Sequence, residues 1–447
     1  MTRFVMGLCL AWCGAALAAD LAAPTNSATP SDLTLTQAIA IALAQNPEIA
    51  AAKHDATVAK EQYRQAAGTA LPSLHAVGGY NRFLDSQRLL PARYNNEMGV
   101  FSKDIVTGDL VLTLPIFTGG RIHNEISAAD LLRQAADHQL ARSREDLVFD
   151  VSSLYFSILA SRHVVASLEF SKQALSEHLK QVAALIAAQK AAPVDQLRVE
   201  VRLADLQQKI VQAKNIEAIQ RRALLALMGD MSQPDDVRVG GELVVPPSTV
   251  SVSVGAALAK AMQQRPDYMA ARSVLAAQDK TLSVARAAHW PAVALEGDYG
   301  GSWAADPSDQ PAGMNDLVDA GWAGVVFDVP LFEGGRIDSR VKEQRARLSA
   351  IQERLRKLKL QVRLEVETAV LNLDSSQERV LATQKAIEQA EEGLRIEQKK
   401  YDVGRGAIVD VLDAQAALLE SQTSYYRALA DYNTAGAQLL LATGEEP

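Results

Sequence analysis

Several shortages bound what this 447-residue chain can be. Cysteine is nearly missing: Cys9 and Cys13 are the two present, both near the N-terminus. Around them, Met1-Thr2-Arg3 supplies a positive end, FVMGLCLAWCGAALA an apolar run, and Ala16-Leu17-Ala18 a small-residue cleavage site, which together spell an export signal. A chain cut near residue 19 keeps no thiol, so disulfides, cysteine metal sites and cysteine nucleophiles drop out. Trp12 stands where a lipoprotein signal wants a small residue, which argues against lipidation of Cys13.

Aromatics make up 5% of the chain against 48% hydrophobic residues, a balance that suits long Ala-rich helices better than bulky globular cores. A net charge of −8 with no basic stripe excludes a nucleic-acid partner. No run of 18 or more apolar residues follows the signal, so a membrane-spanning helix is not expected. HExxH, P-loop, GxSxG and dinucleotide fingerprints are all missing. His123, His138, His163 and His178 lie on one predicted helix at offsets of 15, 25 and 15, which builds no ligand pair and leaves them as solvated side chains. The expectation is a protein that is not an enzyme and has no cofactor or metal.

What is present is written twice. TQAIAIALAQNPEIAAA (36–52) aligns with GAALAKAMQQRPDYMAA (255–271), Pro47 answers Pro266, and Tyr80 answers Tyr299, each 219 residues apart. LPIFTGGRI (114–122) returns as VPLFEGGRI (329–337), at an offset of 215. That offset also relates Asp195 to Asp410, Leu197 to Leu412 and Gly229 to Gly444. The expected divisions are a signal at 1–19, a first repeat at 20–229, a Pro/Gly-rich linker at 230–254, a second repeat at 255–444 and a tail at 445–447. Each repeat reads as a helix (about Thr36 to Gly68; about Gly255 to Ala288), two strands, a Pro-x-aromatic-x-Gly-Gly-Arg-Ile junction, a very long helix, a short turn and another helix.

The helices give the strongest pattern. After Pro330 no proline occurs until Pro447. Leu348, Ile351, Leu355, Leu358, Val362, Val366, Ala369 and Leu373 form one apolar seam, and Leu360, Leu364 and Leu371 a second. Two seams require neighbours on two sides, as staves of a barrel have. A single helix from Arg121 to Ala188 would be roughly 100 Å long, and those at Val194 to Met228 and Ile408 to Thr443 about half that. One short helix before the strands and one after the turn could stack end to end beside each long one.

The strand segments alternate. Leu110, Leu112, Leu114 and Ile116 oppose Asp109, Val111 and Thr113, while Val293, Leu295, Tyr299 and Trp303 oppose Ala294, Glu296, Asp298 and Gly300. An exported chain with nothing else to cover the apolar face points to lipid. Four strands cannot close, open edges cannot stand in a bilayer, and small barrels begin at about eight strands. Three copies would supply about twelve, an even number in the usual range.

The two-copy plan, both Phe-x-Gly-Gly-Arg-Ile junctions and YDVGRGAIVDVLDAQ (401–415) resemble the outer-membrane efflux proteins, the TolC-like trimeric channels. The resemblance implies an α+β membrane protein in which four β-strands per chain complete a trimeric 12-stranded outer-membrane barrel. Long antiparallel helices would continue it as a periplasmic α-barrel. It implies an exit duct of a tripartite efflux or type I secretion system, with a homotrimer, a periplasmic adaptor, an inner-membrane transporter and outer-membrane lipid as partners. At the junctions, Pro115 and Pro330 stop strand pairing, and Gly119, Gly120, Gly334 and Gly335 let the backbone turn.

In such channels the turns after the long helices close the periplasmic end, here 187–197 and 401–413. Asp410 and Asp413, three apart on one helix face, would form a selectivity ring of six carboxylates, although acidic residues also suit a first helical turn. Tyr401 and Asp195 match gate-latch positions. Gly406 stands where the family has the latch arginine, and Arg405 is the substitute one position earlier. A periplasmic coiled-coil adaptor or scaffold without channel activity is the alternative reading, and it would not need amphipathic strands.

Overall fold

The computed structural model describes residues 32–89, 95, 99–189, 192–229, 238–245, 252–309 and 318–445. The export signal lies outside the described residues, as does much of the linker. The first half runs α1 (Leu35–Gln45), α2 (Pro47–Gly68), β1 (Ser73–Arg88), β2 (Phe101–Phe117), α3 (Arg121–Ala187) and α4 (Pro193–Leu227). The second repeats the order with α5 (Val254–Gln264), α6 (Pro266–Ala287), β3 (Ala292–Ala304), β4 (Val318–Asp328), α7 (Arg336–Asp402) and α8 (Ile408–Thr443).

One expectation is corrected. The helix expected over Thr36 to Gly68 is two helices, because Asn46 is extended (φ −62°, ψ 126°) and Pro47 opens α2. A residue before proline is pushed out of the helical region, while proline itself fits the first position of a helix. Asn46 accepts from the Glu48 and Ile49 amides, capping α2. The same break recurs at Arg265 and Pro266.

Each break is also a joint. Asn46 Nδ2 donates to the Leu227 carbonyl at the end of α4, at 2.8 Å. At the matching place, Arg265 Nη1 donates to the Ala442 carbonyl near the end of α8, at 3.4 Å. Leu227 and Ala442 are themselves 215 residues apart (442 − 227). Gly229 and Gly444, both at positive φ, let the chain leave these ends: a Cβ there would lie 2.6 Å from the Gln45 carbonyl oxygen and 2.7 Å from the Arg265 Cα. So α2 and α4 meet end to end beside α3, and α6 and α8 meet end to end beside α7.

Arg265 is the most deeply buried cation described, with a side chain only 2% exposed. It ion-pairs with Asp267 at 2.8 Å and with Glu365 of α7. The main apolar core gathers at the Asn46 joint and joins α1, α2, α3 and α8 through Ala38, Ile49, Val151, Ile158, Leu159 and Leu429. Linker residues 238–245 wrap the same level: Leu33 pairs with Val239, and the Tyr155 hydroxyl donates to the Leu33 and Gly240 carbonyls.

The four strands form one antiparallel sheet in the order β1-β2-β3-β4. At 16 and 17 residues, β1 and β2 exceed the 9–11 or so that a tilted strand needs to cross the hydrocarbon core. By length and composition α3 also holds a window apolar enough to cross a bilayer. That stretch belongs to a helix flanked by α2, α4, α6 and α8, whose packing accounts for its apolar character.

Candidate functional site: sheet wall, junctions and helical tip

Register assigns every strand residue to a face. Leu74, Leu112 and Gly297 line up across β1, β2 and β3, followed by Ala76, Leu110 and Tyr299. Leu114, Leu295 and Val325 continue the face at its junction end, and Val106 with Trp303 at the other. On this face Leu74, Leu110, Tyr299 and Val325 are exposed. The opposite face carries His75, Asp109, Glu296, Asp298 and Asp328. Exposed apolar residues on one side of long strands, with carboxylates on the other, suit a wall between lipid and water. Val77 and Trp322 sit on the polar face, so the division is not strict. Both outer strands, β1 and β4, keep one unpaired edge within the chain.

Where the wall meets the helices, Pro115 lies at a register shift, after which Phe117 pairs with Val293. Gly119 and Gly120 have φ of 61° and 83°, and Gly334 and Gly335 have 59° and 79°. Gly120 and Gly335 are the caps that start α3 and α7, in a left-handed conformation glycine reaches at least cost. Their settings differ. A Cβ on Gly119 would lie 2.5 Å from the Trp290 Cβ, whereas Gly334 faces open space. Pro330 follows the end of β4.

At the other end of the long helices, about 100 Å away, an apolar cluster of Leu175, Val182, Val199, Ile408 and Leu412 joins α3 and α4 to α8. Tyr401 is half-buried against it, and burial together with the Asp195 and Asp402 carboxylates raises its hydroxyl pKa. Tyr401 and Asp195 are therefore brought within electrostatic reach. Asp195 itself pairs with Arg198 on its own helix, at 3.5 Å.

Arg405 is exposed and has no ion-pair partner among the described residues; its amide donates to the Lys400 carbonyl and closes the turn. Asp410 and Asp413 are both exposed in the first turns of α8. Asp410 accepts from the Ala407 amide at 3.2 Å, so it caps its helix as well as facing solvent. The chain alone thus brings Tyr401 and Asp195 together and leaves Arg405 apart. The expectation of solvated histidines is corrected at two positions: the His178 ring lies against Tyr401 with Nε2 buried, and His163 stacks on Tyr426, because periodicity placed both on the long helix but gave no sign of which neighbour each meets.

An amphipathic sheet with open edges, carried on helices far longer than any pocket requires, defines a subunit of a membrane barrel extended by a helical tunnel. The sequence profile of the outer membrane efflux proteins matches residues 38–230 and 257–445, and the chain belongs to that family. It is 26% identical over 326 residues to the outer membrane protein TolC of Vibrio cholerae, covering 71% of this chain and 72% of that one. It is 24% identical over 325 residues to the cobalt-zinc-cadmium resistance protein CzcC of Cupriavidus metallidurans, covering 72% and 73%. Among solved structures, the outer membrane protein VceC of Vibrio cholerae superposes with a TM-score of 0.76 at 21% identity over 92% of this chain and 96% of that one. The open-state MtrE outer membrane channel of Neisseria gonorrhoeae gives 0.74 at 19%, over 93% and 90%. The protein is an outer-membrane efflux channel component that reaches into the periplasm, built on the trimeric barrel-and-tunnel plan.

Proposed function

We propose that three copies of this chain form the exit duct of a tripartite efflux or type I secretion system. It passively conducts substrates received from an inner-membrane transporter through a periplasmic adaptor. The observation that carries this is what each half of the chain leaves uncovered. α3 is flanked by α2, α4, α6 and α8, whereas α7 packs along its length against α5, α6 and α8 of its own half and meets α3 at its tip, where Tyr401 lies against His178. The second seam of α7 is correspondingly open: Leu360, Leu364 and Leu371 are 63%, 64% and 66% exposed. Their counterparts 215 residues earlier include Phe149, which lies beside Leu440 and Leu441 of α8. By the repeat, α2 and α4 of a neighbouring copy would cover α7, and β1 of that copy would pair with β4.

Three copies supply twelve strands (3 × 4) and remove every sheet edge. At the tip, Asp410 and Asp413 of each copy would ring the axis, with Tyr401 and Asp195 as latch groups and Arg405 available to a neighbouring chain. Light scattering in detergent and single-channel recording in planar bilayers test this reading. A trimer with steady conductance is the expected result. A protein that stays monomeric and water-soluble without detergent would sink it.

A further inference from the structure

Four histidines are strung along α3, and the fold sets the last of them against the tip of α7. The His178 and Tyr401 ring centroids are 5.4 Å apart, tilted by 56°. His178 Nε2 is buried with no hydrogen-bond partner among the described residues. Leu175 and Val182, one turn to either side on α3, belong to the apolar cluster that ties α3 and α4 to α8. The imidazole therefore sits in the joint between the two halves of the chain.

The repeat shows that this placement is particular to that joint. The residue 215 positions after His178 is Gly393, and the residue 215 before Tyr401 is Ile186. A Cβ on Gly393 would meet nothing within 4 Å. The joint that α7 makes with a neighbouring copy has neither the imidazole nor the phenol at these positions. A trimer would hold three titratable joints and three that do not titrate here.

We propose that His178 is a proton-sensing, positioning residue of the periplasmic constriction: its protonation loosens the joint between the halves of each chain, releases Tyr401 and raises the open fraction of the duct in acid. The proposal rests on the reading of this tip as a gate. Burial holds the imidazole below its ordinary pKa, although a Gln181 hydrogen bond and the Asp402 carboxylate pull the other way.

The charged groups around it are few. Asp402 approaches from α7, and Asp195 of α4 acts on Tyr401. On α3, Glu177 and Lys180 pair with each other at 2.8 Å. The first turns of α8 direct Ile408 and Leu412 into the cluster, with Asp410 and Asp413 exposed. Because the packed joint disfavours the charged imidazole, an arrangement that hydrates His178 takes up the proton more readily. Acidification then shifts the population toward it.

Single-channel recording on the reconstituted full-length trimer tests this, with Asp410→Asn and Asp413→Asn in every sample to remove the exposed carboxylates of α8. From about pH 7.5 to about pH 5, the open fraction of this background is expected to rise at least ~threefold. His178→Phe and His178→Gln, which cannot titrate, should give flat profiles, and His178→Lys should be open at both values. A background without an acid response, or a His178→Phe trimer that keeps it, overturns the proposal. Tyr401→Ala at neutral pH checks the gate separately: unchanged conductance there defeats the gate reading whatever the pH profile.

Discussion

Replacing Arg265 with methionine probes the joint on which the second half hinges. The guanidinium is 2% exposed, and it neutralises Asp267, pairs with Glu365 of α7 and holds the Ala442 carbonyl at the end of α8. Methionine fills much of the same volume but leaves two carboxylates without their counter-ion. Both partners keep some water contact, with side chains 25% and 37% exposed. Leaving a buried ion uncompensated costs roughly 3–5 kcal/mol, and the lower end applies here because of that hydration.

The first half offers an internal control. Asn46 holds Leu227 at the same place without any charge, so Asn46→Ala removes two cap bonds and one bridging bond. A lost cap costs about 1 kcal/mol. Loss of helical circular dichroism on heating, at one scan rate in detergent at neutral pH, should show Arg265→Met melting several degrees below Asn46→Ala. Adding Glu365→Gln should recover part of the difference, because the exposed charge and not the lost volume causes it. If Arg265→Met melts no lower than Asn46→Ala, the ion cluster does not stabilise the joint and the reasoning fails.

Further outcomes follow from other residues. Burial beside Asp146 and Asp267 pushes the Glu145 carboxyl up to about 7, and its side chain is 12% exposed. The folded state therefore holds this proton above the unfolded value of 4.5, and stability falls as pH rises from about 4.5 to about 7. The loss is at most about 3 kcal/mol, and Glu145→Gln should flatten that limb of a melting-temperature profile. Asp410→Asn with Asp413→Asn, which keeps an acceptor for the Ala407 amide, should abolish block of the channel by multivalent cations; block at unchanged concentration would exclude these residues. Gly119→Ala, with φ of 61° and a Cβ driven into Trp290, should cost more than about 1 kcal/mol and lower trimer yield from detergent extracts. Gly334→Ala carries the same backbone strain, with φ of 59°, but meets nothing within 4 Å in its chain, so it should lower the yield less than Gly119→Ala; an equal loss would show that the clash with Trp290 is not what matters.

Much of the architecture is legible in the chain because it rests on local rules. The alternation of Leu110, Leu112 and Leu114 with Asp109 and Thr113, the proline-free run after Pro330 and the paired Gly-Gly junctions each reflect backbone geometry within a few residues. The offsets of 219 and 215 matched Pro47 to Pro266 and Gly229 to Gly444 before any contact was known. Local rules also misled at Pro47. Apolar periodicity runs through Pro47 without a pause, and the helix break there is set by the restraint proline places on Asn46.

What the sequence determined by itself is a duplicated, exported chain of long helices and amphipathic strands that cannot be complete alone. Only the tertiary structure decided which groups far apart in the chain meet. Asn46 finds Leu227 from 181 residues away, Arg265 finds Ala442 from 177, and His178 finds Tyr401 across the tip. Periodicity states which face of a helix turns inward, but the partner on that face depends on where the other helices end. Those ends are fixed by the joints, where a buried amide in one half and a buried guanidinium in the other capture the same carbonyl position.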